Sequence, residues 1–153
     1  MRGLLVAVCA AVAVAGCSRE AAPAGCPPAP LRATPGPEAI DALLERHMRD
    51  SMAGRAVPGP AARQAARRAI AMDCVHAHAD SAPGATPRDA AVAAVTQACG
   101  AVIARYIQSE VTDATLRGDE PPGPGQMAAL RAEFSAAAAG RLAQRQGGPC
   151  PKP

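Results

Sequence analysis

The stretch "AMDCVHAHAD", at residues 71–80, brings together side chains that can bind a metal ion or form a covalent crosslink. Cysteine thiolate and histidine imidazole are the usual protein ligands of zinc. In a helix His76 and His78 are about 160° apart and cannot chelate one ion together, whereas Cys74 and His78 share a side. A disulfide at Cys74 would remove its thiolate, so the compartment of the protein decides between a metal site and a crosslink.

A second group of soft ligands lies further upstream. His47, Met48 and Met52 fall within a helical pattern, and thioethers with imidazole suit copper(I) in an oxidising envelope. If the first two helices pack together, a copper or zinc site could use His47, Met48, Met52, His76 and His78. The alternative is structural: His47 is a core histidine, both methionines fill gaps, and His76 and His78 are partly exposed at a helix end.

The N-terminal sequence "MRGLLVAVCAAVAVAGCSRE" predicts export. Arg2 precedes an apolar run, Leu4 to Val14, of about eleven residues, which fits a signal peptide and is too short to span a bilayer. The run ends in Val14-Ala15-Gly16-Cys17, which resembles the lipobox of bacterial lipoproteins. The alternative is an ordinary secretory signal, for which Ala13-Val14-Ala15 would be the cleavage site.

The lipobox resemblance implies a membrane anchor. It implies cleavage between Gly16 and Cys17 and a diacylglyceryl group, with fatty chains such as palmitate, on the Cys17 sulfur; two or more chains anchor a protein stably. Ser18, rather than aspartate, follows Cys17, which resembles an outer-membrane address in enteric-type sorting. We therefore expect a lipid-anchored protein of the cell envelope, on the outer membrane facing the periplasm if the host is Gram-negative.

Charge gives little support for nucleic acid as a partner. The chain has 16 Lys and Arg residues against 13 Asp and Glu, a net charge of +3, which becomes +2 when Arg2 leaves with the signal peptide. Nucleic-acid-binding domains usually carry a concentrated basic face. Arg63, Arg67 and Arg68 are the nearest approach to one, and without nearby aromatic residues we expect them to form a solvated helix face.

Composition predicts an all-α fold. The chain has no Trp, one Tyr and one Phe, and it is dominated by alanine, the strongest helix former. Proline, glycine and apolar periodicity predict four helices joined by short connections, which favour a small antiparallel bundle. The predicted helices are Pro37 to about Gly54, after Pro60 to about Asp80, Thr86-Pro87 to about Arg117, and Gln126 to Gln146.

These signals divide the chain into four parts. Residues 1–16 are the predicted lipoprotein signal peptide, and the proline-rich residues 17–36 are the lipidated cysteine and a tether. The helical domain is predicted at residues 37–148, followed by a C-terminal tail at residues 149–153.

Cysteine counting predicts disulfide crosslinks. Of six cysteines, Cys9 leaves with the signal peptide and Cys17 carries lipid, so four remain, with three possible connectivities. An antiparallel four-helix bundle brings both termini to one end, which favours Cys26–Cys150 together with Cys74–Cys99. Cys74 and Cys99 lie at different depths along their helices, so the loop between these helices must absorb the offset.

No catalytic motif is apparent, and we expect no enzymatic activity: neither G-x-S-x-G nor H-E-x-x-H occurs. Residues 73–100 resemble a pattern in small exported helical proteins of proteobacteria, which implies a disulfide-linked helical pair but no activity. The sequence thus predicts an envelope lipoprotein that presents a helical interaction domain to a protein partner and needs no cofactor. The alternative is a periplasmic lipoprotein that binds copper or zinc.

Overall fold

The computed structural model describes residues 26–147, and the regular elements within that range are all α-helices. The predicted all-α fold class is confirmed, with five helices instead of four. The predicted signal peptide, Cys17, Cys150 and the C-terminal tail lie outside the described residues. The helices are α1 (Pro37–Met52), α2 (Pro60–Ser81), α3 (Arg88–Ala98), α4 (Gly100–Arg117) and α5 (Pro124–Gly147).

The fifth helix arises because the predicted third helix bends at Cys99. The axes of α3 and α4 meet at 61°, and Cys99 at the junction has φ −91° and ψ 6°, in the bridge region of backbone space. The hydrogen-bond ladder continues through the bend, because Cys99 N–H donates to Val95 O and Ile103 N–H donates to Cys99 O, both at 3.0 Å. Gly100 follows the bend directly.

Several helix ends agree with the sequence signals and one does not. Proline stands at the first position of α1 and α2, where its missing N–H costs nothing. Gly118 ends α4 with φ +74°, a conformation that glycine adopts without strain. The third helix was expected to begin at Thr86-Pro87 with Thr86 as its cap, but α3 begins at Arg88 after Pro87, and no side chain caps it.

The helices form an up-down bundle, as polar pairs between them indicate. Arg63 of α2 pairs with Asp113 of α4, and Arg67 of α2 pairs with Glu110 of α4. The residue numbers of the partners increase along α2 and decrease along α4. The α2 and α4 helices therefore run in opposite directions. Two further pairs, Arg68–Glu133 and Asp80–Arg141, show that α2 and α5 run in parallel.

The core is built mainly from small side chains around two aromatic rings. Tyr106 and Phe134 are 1% and 0% exposed, and their rings meet edge to face with centroids 5.6 Å apart, a favoured aromatic geometry. Alanine and valine from α2, α3, α4 and α5 fill much of the remaining core. Such a core buries little apolar area per residue, so a crosslink contributes a large share of the stability.

A disulfide joins α2 to the α3–α4 bend. Cys74 and Cys99 are bonded, with their Cα atoms 5.9 Å apart, which is the pairing that the sequence predicts. Cys74 lies about 10 Å before the end of α2 and Cys99 about 16 Å past the start of α3, by rise per residue. Residues 82–87 connect the two helices and take up the difference.

The first described residues pack on the bundle. The Arg145 guanidinium, which is buried, donates hydrogen bonds to the carbonyls of Cys26 and Pro27 and to those of Ala79 and Ala82 at the end of α2. Ala29 N–H also donates to Asp80 O at 3.0 Å. The tether was predicted at residues 17–36, but its part beginning at Cys26 is held against α2 and α5.

None of the helices in residues 26–147 is by itself long and apolar enough to cross a bilayer. The bent pair α3–α4, taken together, reaches the necessary length and composition.

Candidate functional site

Cys74, Cys99 and His78 form a compact group, which we call the sulfur–imidazole cluster. His78 lies one turn after Cys74 on α2, and Cys99 lies at the α3–α4 bend. Each residue offers one ligand atom, and these atoms all lie within 4.8 Å of one another. Within residues 26–147 this is the one group of three or more His, Cys, Asp or Glu side chains that could hold a metal ion.

A cavity of about 320 Å³ opens beside this cluster. His78 lines it together with the hydroxyl-bearing Ser81 and Thr86 and with alanine and valine side chains of α3. Ser81 Oγ donates a hydrogen bond to the His78 carbonyl at 3.1 Å. The His78 side chain therefore borders both the buried sulfur atoms and a space that can hold water.

His76 lies on the other side of α2, as helical geometry predicts. Its side chain is exposed and lines a separate shallow depression with Arg68, Met72 and Asp73. His76 and His78 thus face different cavities and do not share a ligand position.

His47 lies close to arginine side chains at the N-terminal part of α2. Its Nδ1 atom is buried without a hydrogen-bond partner. Burial, followed by the charges of Arg63 and Arg67, lowers the pKa of His47 below its usual 6.5. As the pH falls through 6.5 the unfolded chain takes up this proton before the folded chain does, so acid lowers stability in that window.

The two methionines predicted to join His47 are exposed, Met48 by 64% and Met52 by 78%. Arg63, near His47, and His76 are about 20 Å apart along α2. His47, His76 and His78 therefore occupy three separate places, so the five predicted copper or zinc ligands do not converge on one site.

A groove of about 560 Å³ lies between the N-terminal half of α2, the C-terminal half of α4, the 118–123 connection and α5. We call it the acidic groove, because four carboxylates line it against one guanidinium, Arg117. Gln64, Gln126 and an apolar floor that includes Leu130 complete its lining. The carboxylates are those of Glu110, Asp119, Glu120 and Glu133.

Three of the four carboxylates are paired with arginine. Arg67 holds Glu110, Arg68 holds Glu133 and Arg117 holds Asp119. Glu120 is exposed, and no arginine or lysine of residues 26–147 lies within ion-pair distance of it. Its carboxylate is therefore the group in the groove that is available to a cationic ligand.

Arg67 lies behind the groove and is fully buried. Its guanidinium donates to Glu110 Oε1 at 2.8 and 3.2 Å and to Asp113 Oδ2 at 3.2 Å, while Nη1 has no partner. Burial alone would raise the pKa of Asp113, but the hydrogen bond from Arg67 and the charges of Arg67, Arg63 and Arg117 lower it. The Asp113 carboxylate is therefore ionised at neutral pH.

The expectation of a solvated basic face at Arg63, Arg67 and Arg68 is wrong for Arg67, which is 0% exposed. Its partner Glu110 is 43 residues away, so the pairing depends on tertiary structure. One signal was available: Arg63 and Arg67 share a helix face, as do Glu110 and Asp113, and their charges are complementary.

Comparisons with protein-family models, with curated proteins and with solved structures found no match.

Proposed function

We propose that this protein is a lipid-anchored binding protein of the cell envelope that presents its helical domain to a cationic segment of an envelope protein. The anchor is proposed from the lipobox resemblance at Val14-Ala15-Gly16-Cys17 and from the proline-rich sequence after it. The buried Cys74–Cys99 disulfide supports export, because disulfides form and persist in oxidising compartments.

The binding activity is proposed from one observation, the acidic groove. The unpaired carboxylate of Glu120, the three arginine-paired carboxylates beside it and an apolar floor suit a peptide segment that carries lysine or arginine beside apolar side chains. Glu120 supplies the unpaired charge, and the paired carboxylates of Glu110 and Glu133 supply further hydrogen-bond acceptors. A non-enzymatic role agrees with the lack of catalytic motifs in the sequence.

The anchor is tested by substituting the lipidated cysteine. We expect Cys17→Ser to abolish incorporation of an alkyne-labelled fatty acid and to shift the protein from the membrane to the soluble envelope fraction, because the sulfur of the lipobox position is lost. Cys9→Ser is the matched control, since Cys9 lies in the predicted signal peptide and should leave both readouts unchanged. Label retained by Cys17→Ser would refute the anchor.

The groove is tested by photo-crosslinking in intact cells. A photoreactive amino acid at Ala129, an exposed position in the groove, should capture a specific protein, whereas the same probe at the exposed Ala93 of α3 should not. Adding Glu120→Lys should reduce the crosslink by repelling a cationic segment. Glu45→Lys, on the exposed surface of α1, is the charge-matched control.

Two results would contradict this role for the groove. One is equal crosslinking from Ala129 and Ala93. The other is an Ala129 crosslink that Glu120→Lys and Glu45→Lys weaken equally, because the captured segment would then not depend on the charge of the groove.

A further inference from the structure

We propose that reduction of the Cys74–Cys99 disulfide converts the sulfur–imidazole cluster into a zinc site, in which both thiolates and the His78 imidazole bind one Zn²⁺ ion. The disulfide and the metal would then be alternative crosslinks between α2 and the α3–α4 bend. This proposal does not depend on the acidic groove or on the lipid anchor.

The three ligand atoms lie close enough together to bind one zinc ion once the disulfide is opened. Zinc–sulfur bonds of about 2.3 Å and zinc–nitrogen bonds of about 2.0 Å place neighbouring ligand atoms about 3.6–3.8 Å apart. The three ligand atoms here lie within 4.8 Å of one another. Breaking the S–S bond frees the two cysteine side chains to rotate apart, while His78 keeps its place one turn from Cys74.

The surroundings are also those of a protein metal site. Cys74 and Cys99 are 4% and 1% exposed, so their thiolates would be shielded from solvent. The adjoining cavity, with the hydroxyls of Ser81 and Thr86 in its lining, leaves room for water as a fourth ligand. Two sulfur ligands, one nitrogen ligand and one open position form a set that zinc accepts.

The chemistry needs an external reductant, which we take to be a dithiol. The dithiol transfers two electrons and two protons to the disulfide, giving the Cys74 and Cys99 thiols and leaving the reductant as its own disulfide. Zinc then displaces one proton from each thiol and binds a lone pair of the neutral His78 ring, so binding releases two protons. In the reverse step a disulfide oxidant takes two electrons from the two thiolates and two protons from solvent and becomes a dithiol. The Cys74–Cys99 bond reforms, and Zn²⁺ is released because a disulfide has no thiolate to offer.

The test compares zinc binding by the oxidised and reduced forms of the processed full chain. The protein is reduced with dithiothreitol and desalted without oxygen. Zinc binding is then measured by native mass spectrometry and by competition with a chromophoric chelator. We expect one tightly bound Zn²⁺ ion in the reduced chain and none in the oxidised chain.

Variants assign the ligands. His78→Ala should weaken zinc binding by about 100-fold or more, since even the loss of a residue that only supports a ligand costs about 10–100-fold. Cys74→Ser with Cys99→Ser should abolish binding. His76→Ala is the matched control, because His76 lies two residues away on the opposite, exposed side of α2, and it should bind zinc as the unsubstituted chain does.

If the reduced chain loses its helical structure, circular dichroism can still report zinc binding through the recovery of the helical signal. We then expect zinc to restore the helical signal in the unsubstituted chain and in His76→Ala, but not in His78→Ala. The proposal is overturned by a reduced chain that binds no zinc, by one that stays unfolded in its presence, or by equal affinities of His78→Ala and His76→Ala.

Discussion

At the scale of single residues, adjacent arginines on α2 have very different surroundings. Arg67 is fully buried between Glu110 and Asp113, whose side chains are only 11% and 15% exposed. Arg68 pairs with Glu133 at the surface, where the two side chains are 47% and 36% exposed. Because solvent screens the second pair and not the first, removing the two arginines should have unequal effects.

We predict that Arg67→Ala lowers the free energy of unfolding by about 3–5 kcal/mol, because two largely buried carboxylates lose their main partner. Arg68→Ala should cost about 1 kcal/mol or less. Urea unfolding followed by circular dichroism measures both variants under the same conditions. If Arg67→Ala and Arg68→Ala lowered the free energy of unfolding by similar amounts, the ion pairs of Arg67 would not be buried and tightly coupled.

The burial of Arg67 could not be predicted from the sequence. The sequence pattern predicts that Arg67 lies in a helix. Its burial depends on Glu110 and Asp113, which lie opposite it on α4, and the local sequence around Arg67 does not specify this packing. The acidic groove has the same origin, since its side chains come from α2, α4, α5 and the connection between the last two helices.

At the scale of elements, local signals predicted the helices well and the bend poorly. Pro37 and Pro60 fix helix starts, and Gly118 fixes a helix end, because each acts on its own backbone. The bend at Cys99 does not follow from such a signal. Val95, Val102 and Tyr106 follow a heptad-like spacing, which predicts one continuous helix. All three side chains are buried, Val95 before the bend and the other two after it.

The Cys74–Cys99 disulfide links this bend to α2. Removing it tests how much the link contributes to the stability of the fold. We predict that Cys74→Ser with Cys99→Ser lowers the free energy of unfolding by about 3.5 kcal/mol, from the chain entropy of the ring that the bond closes. The same urea unfolding measurement applies. Thr96→Ser in α3, which keeps the hydroxyl on that helix, is a control that should change stability little.

A variant that matched the stability of the disulfide-bonded chain would contradict this role for the bond. In that case side-chain packing at Cys99 would hold the bend without it.

At the scale of the whole molecule, the predicted up-down bundle is confirmed, and it explains why distant parts of the chain meet. The connection after α2, the end of α5 and the segment from Cys26 all lie at one end, where Arg145 contacts each of them. Cys26 is disulfide-bonded, while Cys150 lies outside the described range, so Cys26–Cys150 stays a prediction. The sequence predicted this topology through its short connections between long helices.

The position of Arg145 has a mechanical consequence. A pulling force on the chain ahead of Cys26 is resisted at Cys26 and Pro27 before it reaches α1, because Cys26 is disulfide-bonded and the Arg145 guanidinium donates hydrogen bonds to both carbonyls. The load would pass directly into the C-terminal ends of α5 and α2, which share those hydrogen bonds. A force applied from the N-terminal side would therefore act on α2 and α5, the helix pair with the most extensive mutual packing. It would not detach α1 from the bundle first.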